Sequence, residues 1–336
     1  MNKLVFALST ALLMSAAGHA TAQEFNFTFA HVLNENTPTA RAVEVFKTEV
    51  EKNSNGRIAI GIRPAAMLGG DVEIIEQTQM GLVHFAIPPT ANLTNFNEKF
   101  YLLDLPFLIT DVPSMKRVLD GEVGQEILGT LDSNNLHGIS MWGAGFRHMT
   151  NSIRPINGPE DLTGIKFRTL QAPTVLATYR AFGANPTAMA FTEVYNGLQQ
   201  GVVEGQENPY ANIHSMRFYE VQKYMTLTNH TYHTYAAVMN KGAWDSLPED
   251  LQKIVGDAMV AGRDAAREFT VEFESKVHDE IKDQIEIIEL TPEGRAAFIE
   301  ASQPIYEEFK DKVTPELLEK AIAASKGRGG SGNLHS

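Results

Sequence analysis

The amino-acid sequence predicts an α/β protein of two lobes, built on doubly wound sheets and braced by one long helix. Between residues 25 and 87, strand and helix patterns alternate as β-α-β-α-β, an order whose short connections favour a parallel sheet. An apolar stripe at helical spacing then runs in one phase from Pro248 to about Asp283. The 336 residues also exceed what a single ordinary domain holds, which points to two lobes.

The first 22 residues stand apart from this fold. Lys3 precedes an apolar run (Leu4–Leu8, Ala11–Met14), and Ala20-Thr21-Ala22 offers a small-residue cleavage site before Gln23. This is the pattern of a secretory signal peptide, too short for a membrane anchor. After it, 25–32 alternates with three phenylalanines on one face and reads as a strand. Residues 38–52 place Ala40, Val43, Phe46 and Val50 at helical spacing, and Gly56 suits the stop. A strand (57–62), a helix (71–80) and a strand (82–87) complete the first series. Further strands are expected at 136–142, 164–169 and 232–239, and helices at 173–182 and 191–200. Across 248–283 the apolar phase survives Gly256 and Gly262, so one helix about 50 Å long is expected rather than two. Lobe one is assigned 23–144 with about 231–270, and lobe two 145–230 with about 271–324. The Gly/Ser-rich end, 325–336, reads as a flexible tail.

The composition removes several kinds of chemistry. There is no cysteine, so thiol nucleophiles and thiolate metal sites are excluded. With 41 acidic against 28 basic residues the net charge is −13, one unit more negative once Lys3 is cleaved away. Such a surface repels nucleic acid and anionic membrane. The chain lacks G-x-S-x-G, H-E-x-x-H, Walker A and G-x-G-x-x-G motifs. His230 and His233 form a pair without an identifiable third ligand, so no metal and no cofactor are expected. An exported hydrolase or lyase acting on a small organic acid stays open as the alternative, with no residue singled out as catalytic.

Binding chemistry is more legible. Arg168 ends the short strand Ile165–Thr169 and precedes a helix, the place where an α/β protein presents fixed charge at a crevice. Arg147, in Gly145-Phe146-Arg147-His148, is read as lying just beyond the strand that ends at Trp142. Two guanidiniums at neighbouring strand ends offer forked donors to carboxylates. Each taken alone reads more readily as a surface ion pair of an acidic protein. Asn208, in the polar segment Gln206-Glu207-Asn208-Pro209, donates and accepts hydrogen bonds or simply opens a turn. Phe191 walls a pocket or belongs to the core, and His31 faces the crevice or caps a loop.

Several of these residues fall in connected motifs. They are Met189-Ala190-Phe191-Thr192-Glu193-Val194-Tyr195 and Leu198-Gln199-Gln200-Gly201-Val202-Val203-Glu204-Gly205-Gln206-Glu207-Asn208-Pro209, supported by Met67-Leu68-Gly69-Gly70, Leu105-Pro106-Phe107 and Thr228-Asn229-His230. In these the chain resembles the solute-binding proteins of tripartite ATP-independent periplasmic (TRAP) transporters, the DctP-like family, over essentially all of its mature length. The resemblance implies a two-lobed periplasmic-binding-protein fold, a small organic acid held between the lobes, and delivery to a membrane permease. It implies that Arg168 binds the ligand carboxylate, that Arg147 and Asn208 bind a second oxygen-bearing group, and that Phe191 packs on the ligand. His31 and Tyr235 fall where specificity residues vary. The loop Ile87–Asn92 lacks the carboxylate found in some members, such as sialic-acid binders. C4-dicarboxylate and sugar acids such as uronates both stay open. A periplasmic monomer is expected, with no nucleic-acid partner.

Overall fold

The computed structural model describes residues 23–327. The expected signal peptide and most of the expected tail lie outside the described residues. Lobe one opens with β1 (Phe25–Ala30), α1 (Pro38–Asn53), β2 (Ile58–Arg63), α2 (Asp71–Gln79) and the two-residue β3 (Phe85–Ala86). Thr37 caps α1 by accepting from the amide of Ala40 at 3.3 Å, with Pro38 preset at the first helical position. β1 pairs in parallel with β2 and β3, as the alternation predicts. Three further helices, α3 (Thr90–Leu93), α4 (Val112–Leu119) and α5 (Glu122–Gly129), cover this side.

The next strand departs from expectation. β4 runs unbroken from Leu136 to Asn151, far past Trp142. Its partner changes along its length. Residues up to Phe146 pair antiparallel with β9 (Tyr232–Asn240), and from Arg147 to Asn151 the partner is β7 (Gly205–Pro209). One strand therefore joins two sets of partners, with the switch between Phe146 and Arg147. A register shift between Gly143 and Phe146 marks the crossing. Gly145 has φ +93°, and a Cβ there would stand 2.1 Å from a carboxylate oxygen of Glu274. Only glycine satisfies both conditions.

Lobe two carries β5 (Lys166–Thr169), α6 (Pro173–Ala181), β6 (Asn185–Ala188), α7 (Val194–Gln199), then β7, α8 (Tyr210–Ser215) and β8 (Tyr224–Leu227). β5 pairs in parallel with β6 and β7, and the strand order is β2-β1-β3-β9-β4-β7-β5-β6. The parallel sheets expected from the alternation are thus interrupted by antiparallel strands at the crossing. The polar segment 206–209, read as a turn, is the buried strand β7. After β9 come the short α9 (Lys241–Asp245) and then α10 (Glu249–Ile281), one uninterrupted helix of 33 residues. Its Leu251–Ala266 face joins the core of lobe one, while Val277 and Ile281 join a core of lobe two. Arg267 ties it to the α4–α5 turn through both carboxylate oxygens of Asp120, at 2.8 and 2.7 Å.

The chain closes with β10 (Glu286–Glu289), α11 (Pro292–Val313) and α12 (Pro315–Ser325). Phe298 packs in lobe two, but Ile305, Phe309, Val313, Leu317 and Ala321 share the core of lobe one. The sequence reading kept 271–324 with lobe two. The apolar faces of α11 and α12 pack against α4, α5 and the 98–104 segment.

Gly262 faces the indole of Trp142, whose ring carbons would stand 2.5 and 2.6 Å from an added Cβ, whereas nothing lies within 4 Å at Gly256. Gly262→Val is therefore expected to cost roughly 1–3 kcal/mol by overpacking. Gly256→Ala is expected to add up to about 1 kcal/mol through helix propensity. Urea unfolding of both variants checks the contrast.

Candidate functional site

Two cavities meet between the lobes. The first is lined by Asp71, Asn92, Arg168, Phe191, Asn208 and Tyr235, among others. The second is lined by Asp104, Arg147, Thr178, Tyr179, Glu207 and His230, and His233 and Leu170 border both.

Arg168 sits on β5 with its side chain buried, 2% exposed. Its Nε and Nη2 both donate to the carbonyl of Met189, at 3.0 and 2.8 Å. That carbonyl fixes one edge of the guanidinium. The other edge, Nη1 with the second hydrogen of Nη2, is left for the cavity, and Nη1 has no partner among the described residues. Burial lowers the Arg168 pKa to about 10, which still leaves a cation at neutral pH. It is held by a neutral carbonyl, with no carboxylate in direct contact among the described residues.

Arg147 is placed differently from expectation. β7 lies between β4 and β5, so the two arginines do not end neighbouring strands. The Arg147 guanidinium is spent on Glu207: Nε donates to Oε2, and Nη2 to Oε1 at 2.8 Å and to the backbone carbonyl at 2.6 Å. Nη1 donates to His233 Nδ1 at 2.6 Å. This acceptor role puts the His233 proton on Nε2, a buried donor without a partner among the described residues. Burial, Arg147 and Arg168 all push the His233 pKa well down, so the ring is neutral. Arg147 lines the second cavity rather than the one that Arg168 faces. Burial pushes the Glu207 carboxyl up, but Arg147 and His230 overcome it and hold the pKa at about 2.

Asn208 lies in the Arg168 cavity with its amide already oriented. Oδ1 accepts from Arg147 Nη2 at 3.3 Å and Asn212 Nδ2 at 3.0 Å, and Nδ2 donates to Gln206 Oε1 at 2.6 Å. The relay continues through Thr150 to Gln222 and pins β7 on β4. Phe191 stands half-buried in a short 3-10 segment (Phe191–Glu193), edge-on to Phe218 at 6.3 Å, and lines the same cavity. Tyr235, on β9, lines it from lobe one with its ring edge-on to His233 at 4.5 Å. His31 is buried and is not among the residues lining this cavity, whereas its neighbours Val32 and Leu33 are. Burial lowers its pKa to about 4, so it is neutral. His230 is held by Thr228 at 2.7 Å, Tyr179 at 3.2 Å and Glu207 at 3.4 Å. The His230/His233 pair thus divides between different partners.

Two carboxyls escaped the sequence reading. Asp71, the first residue of α2, lines the Arg168 cavity. Burial raises its pKa to about 7, against the pull of Arg168. Asp104 lines the second cavity, where burial raises it to about 8. The only signal for Asp71 was its place after Met67-Leu68-Gly69-Gly70. Nothing local marked Asp104.

A family model for bacterial extracellular solute-binding proteins of family 7 (DctP) matches residues 29–312. The C4-dicarboxylate-binding periplasmic protein DctP of Rhodobacter capsulatus is 33% identical over 320 residues, 94% of this chain and 96% of that one. The 2,3-diketo-L-gulonate-binding periplasmic protein YiaO of Escherichia coli is 34% identical over 262 residues, 77% and 79% of the two chains. Among solved structures, the sugar acid binding protein DctPAm of Advenella mimigardefordensis, in complex with galactonate, superposes with a TM-score of 0.87 at 30% identity, covering 90% of this chain and 98% of that one. A TRAP periplasmic solute-binding protein of Sulfurospirillum deleyianum with bound succinate gives 0.84 at 34% identity, covering 90% and 99%.

Glu207→Gln leaves the buried Arg147 without its counter-ion and is expected to cost roughly 3–5 kcal/mol at neutral pH. Because the folded pKa of Glu207 lies below its unfolded value, the pair's contribution is full above about pH 4.5 and is lost as pH falls toward about 2. Denaturant titrations from pH 7 to pH 2 should show the wild type losing this increment and the variant lacking it throughout.

Proposed function

The chain belongs to the bacterial extracellular solute-binding proteins of family 7, and on that premise we propose that Arg168 anchors the carboxylate of its ligand in the cavity between the lobes. It is a solute-binding protein of the TRAP type, not an enzyme, and takes small organic acids to TRAP permease components outside the cytoplasm. The observation that carries the site assignment is Arg168 itself, a buried cation whose free edge faces a shared cavity and whose bound edge touches only a carbonyl. A carboxylate meets that edge with two parallel charge-assisted bonds. A neutral solute would leave the cation buried and unpaired, which disfavours it.

The other residues act around this bond. Phe191 covers one face of the ligand and excludes water. Tyr235, from lobe one, and Asn208, from lobe two, bond its oxygens when the lobes are together. His31 shapes the wall from behind. Arg147 acts at one remove, by fixing His233 as a neutral donor and β7 in register. The lobes, 23–146 with 232–270 and 147–231 with 271–300, move about β4 and α10, with α11 and α12 returning to lobe one. A ligand touching both favours the closed arrangement by those added contacts alone. The protein is exported by its signal peptide, acts as a monomer and binds no nucleic acid, in keeping with its acidic surface.

Arg168→Ala is expected to weaken binding of the recognised acid by roughly 10²–10³-fold, the effect of breaking a buried charge pair on one side. Calorimetry against a panel of dicarboxylates, aldonates, uronates and keto acids measures it. Unchanged affinity for a bound acid would overturn the assignment.

A further inference from the structure

Charge accounting in the two cavities narrows the ligand class, an inference that rests on Arg168 being the carboxylate anchor. The lining residues include two cations, Arg168 and Arg147. Arg147 is already neutralised by Glu207 in direct contact. The histidines at the site, His230 and His233, have lowered pKa values, as do His31 and His148 nearby, chiefly through burial. No lysine lines either cavity. Among the described residues Arg168 is thus the single lining cation left for a ligand, and it already shares its cavity with the carboxyl of Asp71.

Asp71 comes from lobe one and Arg168 from lobe two. They interact through the field across the cavity, yet no ion pair joins them among the described residues. The remaining polar groups are of hydrogen-bonding kind: the Asn92 Oδ1 and His233 Nε2 atoms, both buried without a partner, and the side chains of Tyr235 and Asn208. A second ligand carboxylate brought here would meet an acid and neutral dipoles instead of a cation, at the cost of burying an unpaired charge. A hydroxyl would find both an acceptor and a donor.

We propose that the site selects a singly charged carboxylic acid bearing hydroxyl groups over a dicarboxylate, and that Asp71 is the specificity-determining residue, accepting a ligand hydroxyl and repelling a second carboxylate. The groups facing Asp71 are Arg168 on β5, Tyr235 on β9 and Glu73 on its own helix.

The test compares four-carbon acids of matched size, succinate against D-erythronate and L-threonate, with galactonate and gluconate added so that stereochemistry alone does not decide. Calorimetry on the full mature protein is expected to show at least one hydroxy acid binding tenfold or more tighter than succinate. Asp71→Asn should shrink that ratio by strengthening succinate, and its thermal melting in the absence of acid reports whether it folds. For the wild type, succinate should weaken at least threefold from pH 6 to pH 8 as Asp71 ionises, and the variant should lose this dependence. Succinate binding tighter than every hydroxy acid, in an Arg168-dependent manner, would overturn the inference while leaving the carboxylate anchor intact. A selectivity ratio and pH profile unmoved by Asp71→Asn would overturn the role of Asp71. Binding of none of these acids would remove the anchor and the inference together.

Discussion

The buried pair of Arg147 and Glu207 sits where β4 exchanges one partner strand for another, and the geometry of the site follows from it. Arg147 is the first β4 residue to face β7, opposite Pro209. Its guanidinium holds the Glu207 side chain, the Glu207 carbonyl, Asn208 and His233 at once. Burying two charges is expensive, and such a pair is a poor source of net stability. Its effect here is positional. It fixes the protonated nitrogen of His233, orients the Asn208 amide and locks β7 against the strand that both lobes share.

That arrangement separates the two arginines by role. A guanidinium paired with a carboxylate has little charge left to offer a ligand, while one held by a carbonyl keeps nearly all of it. Arg147 and Arg168 are both deeply buried, at 4% and 2% exposure, so burial does not distinguish them. Their partners do. The acidic surface adds a further constraint. Its long-range field opposes an incoming anion, but beyond roughly 8 Å it is screened at physiological salt. Capture thus depends on the local donors inside the crevice rather than on steering.

The connections between lobes are few and stiff. β4 crosses once, β9 returns, and α10 lies along both with Trp142 against Gly262. The residues that line the first cavity come from both sides of the crossing, Asp71, Asn92 and Tyr235 from one and Arg168, Phe191 and Asn208 from the other.

Much of this was legible in the chain. The β-α-β-α-β opening, the helix that keeps its apolar phase through two glycines, and Arg168 at the end of β5 all follow from local periodicity, which the sequence carries directly. Phe191, Asn208 and Tyr235 were found through motif resemblance and do line one cavity. The misreadings share a cause. β4 looked finished at Trp142 because its glycines resemble a loop, and 206–209 looked like a turn because Gln, Glu and Asn are rarely buried. Each becomes a strand only once the other supplies its hydrogen bonds. The sequence by itself determined the β-α-β-α-β opening, the long helix, the sign of the surface and the residue types suited to an anion. Tertiary structure alone decided which arginine is free, that His31 is buried away from the cavity lining, and that Asp71 shares a cavity with Arg168. Those outcomes depend on pairing between residues tens of positions apart, and no local pattern encodes such pairing.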